Sequence, residues 1–268
     1  MTIRLLGTGA AHGIPAFCSD SRVSRHARQV GGKEVRTRSA ALLDGCVKID
    51  MGPDTLCQLN RDRLDARDWS ALIFTHGHDD HFIPQELQYF LFPFNDLEMI
   101  PFPIYSNESM ARRIRETYPD WPMEIHTTAS FCPFQLGDYT VHPLRANHKL
   151  DEDSQLLLFE KDGKTILYGT DTGKLFDETV DYLKNFELDC LIIECTDGRV
   201  PTEYYGHLDL GSCIETVNQL RSLGILRPDS VVVTTHHSDQ GDLTYSELVE
   251  ALEPHGIIAG YDGIEITV

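Results

Sequence analysis

Phe74-Thr75-His76-Gly77-His78-Asp79-Asp80-His81 closes an apolar run that begins at Ala71, and it places three histidines and two aspartates within six positions. The whole chain has 12 histidines in 268 residues, so composition does not account for three of them at this spacing. Neutral imidazole and carboxylate are good ligands for zinc and its first-row neighbours. On a tight loop after a strand, His76 and His78 can point to one side, and Asp80 and His81 can turn to a second site. Four ligands in six residues crowd a single ion, whereas metals paired at about 3.5–4 Å are a standard hydrolytic device.

A second ion needs further ligands, and three later segments offer them, each after a run that reads as a strand. They are His148 in Leu144-Arg145-Ala146-Asn147-His148, Asp171 in Gly169-Thr170-Asp171-Thr172-Gly173, and His236 in Thr234-Thr235-His236-His237-Ser238. Strand-like runs occur at Ile3–Leu6, Ala40–Leu43, Val47–Ile49, Ala71–Phe74, Gln155–Phe159, Thr165–Tyr168, Cys190–Ile193 and Val231–Val233, with hairpin-like strands around 134–142. Helical patterns occupy Thr55–Arg63, Pro84–Phe90, Ser109–Tyr118, Leu175–Asn185, Gly211–Leu223 and Tyr245–Leu252. This mixture implies an α/β layered sandwich. No repeat or long linker divides the chain, so residues 1–268 read as one domain.

Composition narrows the partners. With 23 Lys+Arg against 42 Asp+Glu, the formal charge is −19, which repels nucleic-acid phosphates and anionic membranes over most of the surface. No run of 18 apolar residues exists, and the opening residues break into glycines too early for a signal-peptide core, so a cytoplasmic protein is expected. Seven cysteines, odd in number and without a C-x-x-C pair, read as buried free thiols. The charge is uneven: residues 1–38 carry a net +5 and the rest −24. The segment Ser19–Arg38 therefore reads as a mobile basic loop, and Arg22, Arg25 and Arg28 as charges that steer a small anionic ester to the metals. The aromatic run Tyr89-Phe90-Leu91-Phe92-Pro93-Phe94 reads as core, as a pocket wall or as a subunit contact, which leaves a homodimer open.

The spacing resembles the metallo-β-lactamase superfamily over essentially the whole chain. Asp50 in Ile49-Asp50-Met51-Gly52 matches the first motif, the histidine cluster the second, and His148, Asp171 and His236 the third to fifth. The resemblance implies a four-layer αββα sandwich of two facing mixed β-sheets with the metals at one edge. It assigns His76, His78 and His148 to one metal and Asp80, His81 and His236 to the other, with Asp171 bridging. His237 stands beside His236 as the alternative ligand. The ions implied are two Zn²⁺, with Mn²⁺ compatible with the carboxylates.

Within the superfamily, Leu6-Gly7-Thr8-Gly9-Ala10-Ala11 with Gly13-Ile14-Pro15, the ending Gly260-Tyr261-Asp262-Gly263, and Gly206-His207-Leu208 before a helix are similar to PhnP-type phosphodiesterases. The last of these is also similar to the tRNase Z group. The resemblance puts His207 at the reacting phosphate, so Asp80 and His207 are the catalytic candidates. The expected function is hydrolysis of a small, cyclic or linear, phosphodiester by a water shared between two metals. The alternatives are a thioesterase of the glyoxalase II kind, a tRNA 3′-processing nuclease, and a non-hydrolytic protein of the PQQ-biosynthesis protein B kind. PhnP-type enzymes also carry a structural zinc on a cysteine cluster near the start. Here that stretch has Cys18 alone, and Asp239 stands where the site needs a histidine, so no structural zinc is expected and the basic loop is expected to be loosely held.

Overall fold

Fourteen strands and six α-helices alternate along the chain in the computed structural model, which describes residues 1–201 and 204–268. In chain order the strands are β1 (Thr2–Gly7), β2 (Ala40–Leu43), β3 (Val47–Ile49), β4 (Ala71–Ile73), β5 (Ile104–Asn107), β6 (Ile125–Thr128), β7 (Phe134–Leu136), β8 (Tyr139–Arg145), β9 (Gln155–Lys161), β10 (Lys164–Gly169), β11 (Leu188–Glu194), β12 (Leu226–Thr235), β13 (Ile258–Ala259) and β14 (Glu265–Thr267). The helices are α1 (Arg22–Val30), α2 (Thr55–Asp62), α3 (Glu108–Thr117), α4 (Asp177–Leu183), α5 (Leu210–Ser222) and α6 (Tyr245–Leu252). Pro84–Phe90, which shows a helical pattern, winds as a 3-10 helix.

The strands form two seven-stranded mixed sheets, in the orders β14-β1-β2-β3-β4-β5-β6 and β13-β12-β11-β10-β9-β8-β7. Alternate side chains of each strand point to opposite faces, and both faces are covered. Ile3, Leu5, Leu43, Ile49 and Ile73 of the first sheet meet Val141, Phe159, Ile166, Tyr168 and Ile192 of the second. The neighbouring residues Leu6, Leu42, Leu72 and Phe74 turn outward and pack with Met110 and Ile114 of α3. Leu156, Leu158, Leu191 and Ile193 turn outward from the second sheet onto Leu183 of α4, Val217 and Leu220 of α5, and Leu248 and Leu252 of α6. The result is the four-layer αββα sandwich.

One outward position breaks this rule. Lys48, in the middle of β3, is fully buried; its Nζ donates to the carbonyls of Ile49 (3.1 Å) and Asp50 and lies 5.9 Å from the Trp69 ring centroid. Burial pushes its pKa down to about 7, and the nearby Asp50 carboxylate only partly opposes that.

Three sequence expectations change. Ser19–Arg38 is not a mobile loop, because residues 22–30 form α1. Its N-terminal side is tied down by Asp239, whose Oδ2 accepts hydrogen bonds from Ser19 (2.5 Å), Ser21 (2.7 Å) and Ser24 (2.6 Å). The cysteines are not uniformly buried: Cys190, Cys195 and Cys213 are, whereas Cys18, Cys57 and Cys132 are exposed. The aromatic run divides its roles. Leu91 lies in the core, and Tyr89, Phe92 and Phe94 are exposed. Among the described residues, no helix is long and apolar enough to cross a membrane.

Candidate metal centre

The strand ends converge on one edge where the two sheets meet. β4 delivers His76 to His81, β8 leads to His148, β10 to Asp171 and β12 to His236. Three residues at these ends turn the chain through the left-handed region: Asp50 (φ 58°), Asp171 (φ 55°) and His236 (φ 56°). Non-glycine residues held there cost on the order of 1–3 kcal/mol each and cluster at functional sites. The turns also require glycine where backbones touch. A Cβ at Gly52 would lie 1.9 Å from the Asp80 carbonyl oxygen, and one at Gly173 would lie 1.6 Å from that of Tyr205.

Two groups make up the heart of the cluster, His76, His78 and His148, and Asp80, His81, Asp171 and His236, with the donor atoms of each within 4.8 Å of one another; at the same spacing His207 forms two more, with His148 and Asp171 and with Glu194 and His236. In the first, His78 Nδ1 lies 3.1 Å from His76 Nε2 and 2.9 Å from His148 Nε2. In the second, Asp80 Oδ2 lies 3.2 Å from His81 Nε2 and 3.6 Å from His236 Nε2. Asp171 spans both: Oδ1 is 3.4 Å from His148 Nε2 and 3.2 Å from His236 Nε2, and Oδ2 is 3.0 Å from His81 Nε2.

The orientation of four of the five imidazoles is set from behind. Nδ1 faces Thr75 Oγ1 in His76 (3.0 Å), Asp50 Oδ2 in His81 (2.7 Å), the Gly206 carbonyl in His148 (2.9 Å) and Thr196 Oγ1 in His236 (2.8 Å). That leaves Nε2 of all four for the centre, the tautomer a metal ligand needs. Nε2 of His81 and Nε2 of His236 are buried without a hydrogen-bond partner among the described residues. Such orphaned nitrogens, converging with carboxylates whose negative charge favours a cation, fit divalent metal ions. Charge agrees. Burial alone would lower the His81 pKa, yet Asp171, Asp80 and Asp50 together hold it well above the ordinary value. Asp171 is held well below the carboxylate range because His236, His81 and His76 outweigh its burial. His237 faces elsewhere, with Nδ1 on the Cys195 carbonyl and Nε2 near Thr234 Oγ1, both at 3.2 Å, so His236 is the histidine in the cluster.

His207 lies outside the first two groups and at their margin. Its ring centroid is 4.9 Å from that of His148 and 5.2 Å from that of His236. Glu194, at the end of β11 and fully buried, receives His207 Nδ1 and the backbone N–H groups of Thr172 (2.6 Å) and Leu208 (3.1 Å). Sequence reasoning missed Glu194. Its signal is an acid closing the apolar run 190–193, the place where Asp50 and Asp171 also stand in their own segments.

The centre opens into a cleft of about 640 Å³ bordered by His12, Arg38, Pro53, Tyr204, His207 and Gln240. Arg22, Arg25 and Arg28 do not border it. Arg22 pairs with Asp242 and Glu247, Arg25 with Asp20, and Arg28 donates to the carbonyls of Ser19 and Ala16. The basic segment reaches the cleft through Arg38 instead.

Two mixed sheets between helices, with paired His/Asp ligand groups at one edge, define the class of αββα metalloproteins. The chain belongs to the beta-lactamase superfamily, whose domain model ("Beta-lactamase superfamily domain") matches residues 47–237. Similar solved structures include a diphosphatase of the PhnP family (TM-score 0.77, 23% identity, 100% of this chain and 97% of that one). Zn²⁺-bound PqqB from Methylobacterium extorquens (TM-score 0.76, 16%, 100% of each) and human tRNase Z, short form (TM-score 0.65, 21%, 100% and 99%) share the fold as well. A curated relative, an octanoyltransferase of Porphyromonas gingivalis strain ATCC BAA-308 / W83, is 27% identical over 98% of this chain. The chain spans about half (51%) of that protein's length.

Proposed function

We propose that the chain is a metal-dependent phosphodiesterase that hydrolyses a small anionic phosphodiester. The observation that carries this reading is the His207–Glu194 pair, a histidine held by a buried carboxylate against both the three-histidine group and the Asp80, His81, Asp171 and His236 group. When bound, two divalent ions would supply a water acidic enough to ionise near neutrality and positive charge for the phosphate oxygens. His76, His78 and His148 would hold one ion, Asp80, His81 and His236 the other, and Asp171 both.

His207 supplies what a ligand cannot. With Nδ1 committed to Glu194, Nε2 is the nitrogen free to protonate the leaving oxygen or to donate to the phosphate. Asp80 acts as a ligand oxygen rather than as a proton carrier, since His81 and His236 hold it ionised against its burial.

A second reading, acyl-thioester hydrolysis, is favoured by a different observation. A cavity of about 520 Å³ lined by Met51, Leu56, Trp69, Tyr89 and Phe90 shares Pro53 with the cleft, and its apolar walls suit an acyl chain of the kind the octanoyltransferase relative is named for.

A substrate panel on stripped protein reloaded with Zn²⁺ or Mn²⁺ tests both readings. It holds bis(p-nitrophenyl) phosphate, a 2′,3′-cyclic nucleotide, linear diesters, an octanoyl thioester and a β-lactam. The first reading expects diester turnover that appears with about two equivalents of metal. Thioester turnover without diester turnover would replace it with the second, and full activity with one equivalent would overturn the dinuclear mechanism.

A further inference from the structure

The wall of the cleft contributed by the loop after β1 carries two side chains that the hydrolytic reading does not use. His12 and Arg38 border the same cavity as His78, His148, Asp171, His207 and His236. Gly9 pairs with Arg38 on one side and His237 on the other, so the backbone that leads to His12 is fixed against both. A Cβ on Gly13 would lie 3.9 Å from Arg38 Cδ and 4.0 Å from Arg38 Nη1, which puts the arginine beside the residue that follows His12.

Both side chains are held with donor capacity to spare. His12 Nε2 lies 3.0 Å from Asp239 Oδ1 and 3.1 Å from Ser238 Oγ, while Nδ1 has no hydrogen-bond partner among the described residues. Asp239 is itself only 3% exposed, and the three serine hydroxyls on its other oxygen fix the carboxylate rigidly. Arg38 donates from Nε to the Ala11 carbonyl (3.1 Å) and from Nη1 to both oxygens of Asp54 (3.1 and 3.2 Å); Nη2 has no such partner. Imidazole can donate from its Nδ1, and guanidinium presents its donors as a fork suited to carboxylate and phosphate. The acids Asp79, Asp80, Asp171 and Asp197 border the cleft as well, and Arg38 is the Lys or Arg that borders it among the described residues.

We propose that His12 and Arg38 form a second anion subsite in the cleft, which takes a non-reacting carboxylate or phosphate of the substrate while the scissile phosphate lies at the metal centre. The substrate class is then a phosphodiester with an additional anionic group. This deepens the phosphodiesterase reading and rests on it for the identity of the reacting group. The pinned imidazole and guanidinium lose little freedom on binding, so they contribute selectivity at low entropic cost.

The test uses the full chain loaded with two equivalents of Zn²⁺. Calorimetric titration compares inorganic pyrophosphate with orthophosphate for wild type, His12→Gln and Arg38→Gln, each checked for retained zinc. Wild type should bind pyrophosphate roughly tenfold tighter or more, the size of one added charge-assisted hydrogen bond. In both variants that ratio should fall to about twofold. A ratio that stays at the wild-type value in either variant overturns the subsite, because the preference then comes from the metals alone. Arg38→Gln leaves the Asp239 knot intact and so tests the subsite even where His12→Gln disturbs folding. A kinetic arm compares two p-nitrophenyl phosphodiesters that differ only in a carboxylate or its methyl ester. The wild-type KM preference for the carboxylate should shrink towards one in both variants. If wild type hydrolyses neither ester, the phosphodiesterase reading fails, and the binding ratio still decides the subsite.

Discussion

Both oxygens of the Glu194 carboxylate lie within hydrogen-bond distance of His207 Nδ1, at 3.0 and 3.1 Å. Burial would depress the imidazole, but the carboxylate outweighs it and lifts the pKa to about 9. His207→Ala should therefore lower kcat by about 10²–10⁴-fold, the usual share of general acid catalysis, while zinc content measured by atomic absorption stays at the wild-type value. Glu194→Gln removes the charge that stabilises the imidazolium, so the basic limb of the kcat–pH profile should move to lower pH. An unmoved limb would show that His207 is not the titrating donor.

The carboxylate behind His81 offers a test at one remove from the metals. Asp50 Oδ2 accepts from His81 Nδ1 at 2.7 Å, and Asp50 also receives the backbone N–H and hydroxyl of Thr75. Losing such a support typically weakens metal binding by about 10–100-fold. Asp50→Asn should show this for one of two equivalents in a chelator competition, since His81 serves only the second group. Equal weakening of both ions would contradict the division into two sites.

The Asp239 knot holds α1 without help from a large apolar face, because only Val23, Ser24 and Ala27 of that helix are buried. Hydrogen bonds to a charged group contribute about 1.5–3 kcal/mol each, so Asp239→Ala should destabilise the protein by about 3 kcal/mol or more. Amide exchange across residues 22–30 should rise. In wild type the same exchange should be indifferent to chelator, as expected of a helix anchored by serines rather than by zinc. Faster exchange on chelation would reveal a metal there.

Lys48 makes a prediction with a defined sign. Its folded pKa is about 7 against an ordinary 10.5. Between those values the unfolded chain binds more protons at this group than the folded one, so the contribution to stability rises with pH, by at most about 1.4 kcal/mol per unit. The urea midpoint of wild type should therefore rise relative to Lys48→Met between about pH 7 and 10. Parallel profiles would place the Lys48 amine in contact with water.

The sequence made the sheets legible for a physical reason. Ala40–Leu43 and Ala71–Ile73 are buried on both faces, so they appear as unbroken apolar runs with sharp ends. Of the edge-side strands, β5 and β6 mix Tyr105, His126 and Thr127 with the apolar residues and show no such run. Helix α1 was hidden because its stability comes from Asp239, more than 200 positions away, and not from a periodic apolar stripe.

The site divides in the same way. The cluster 76–81 is local, and His148, Asp171 and His236 each follow a readable strand. Glu194 and the pinning of His12 are not local: the first acts on a residue 13 positions on, and the second depends on a contact spanning 227 positions. Charge counting along the chain suggested three steering arginines, whereas pairing in space leaves Arg38 in the cleft.

The seven candidate ligand residues come from both sheets. His76, His78, Asp80 and His81 hang from the first, and His148, Asp171 and His236 from the second. An ion held by either group would thus be a rivet through two plates. The plates are already stitched beside it by Ala10 N–H to the His237 carbonyl (2.9 Å) and His237 N–H to the Thr8 carbonyl (2.8 Å). Withdrawing such rivets would leave the stitching in place, so disassembly would have an order: ions would leave first, the plates part later, and the edge reload without refolding.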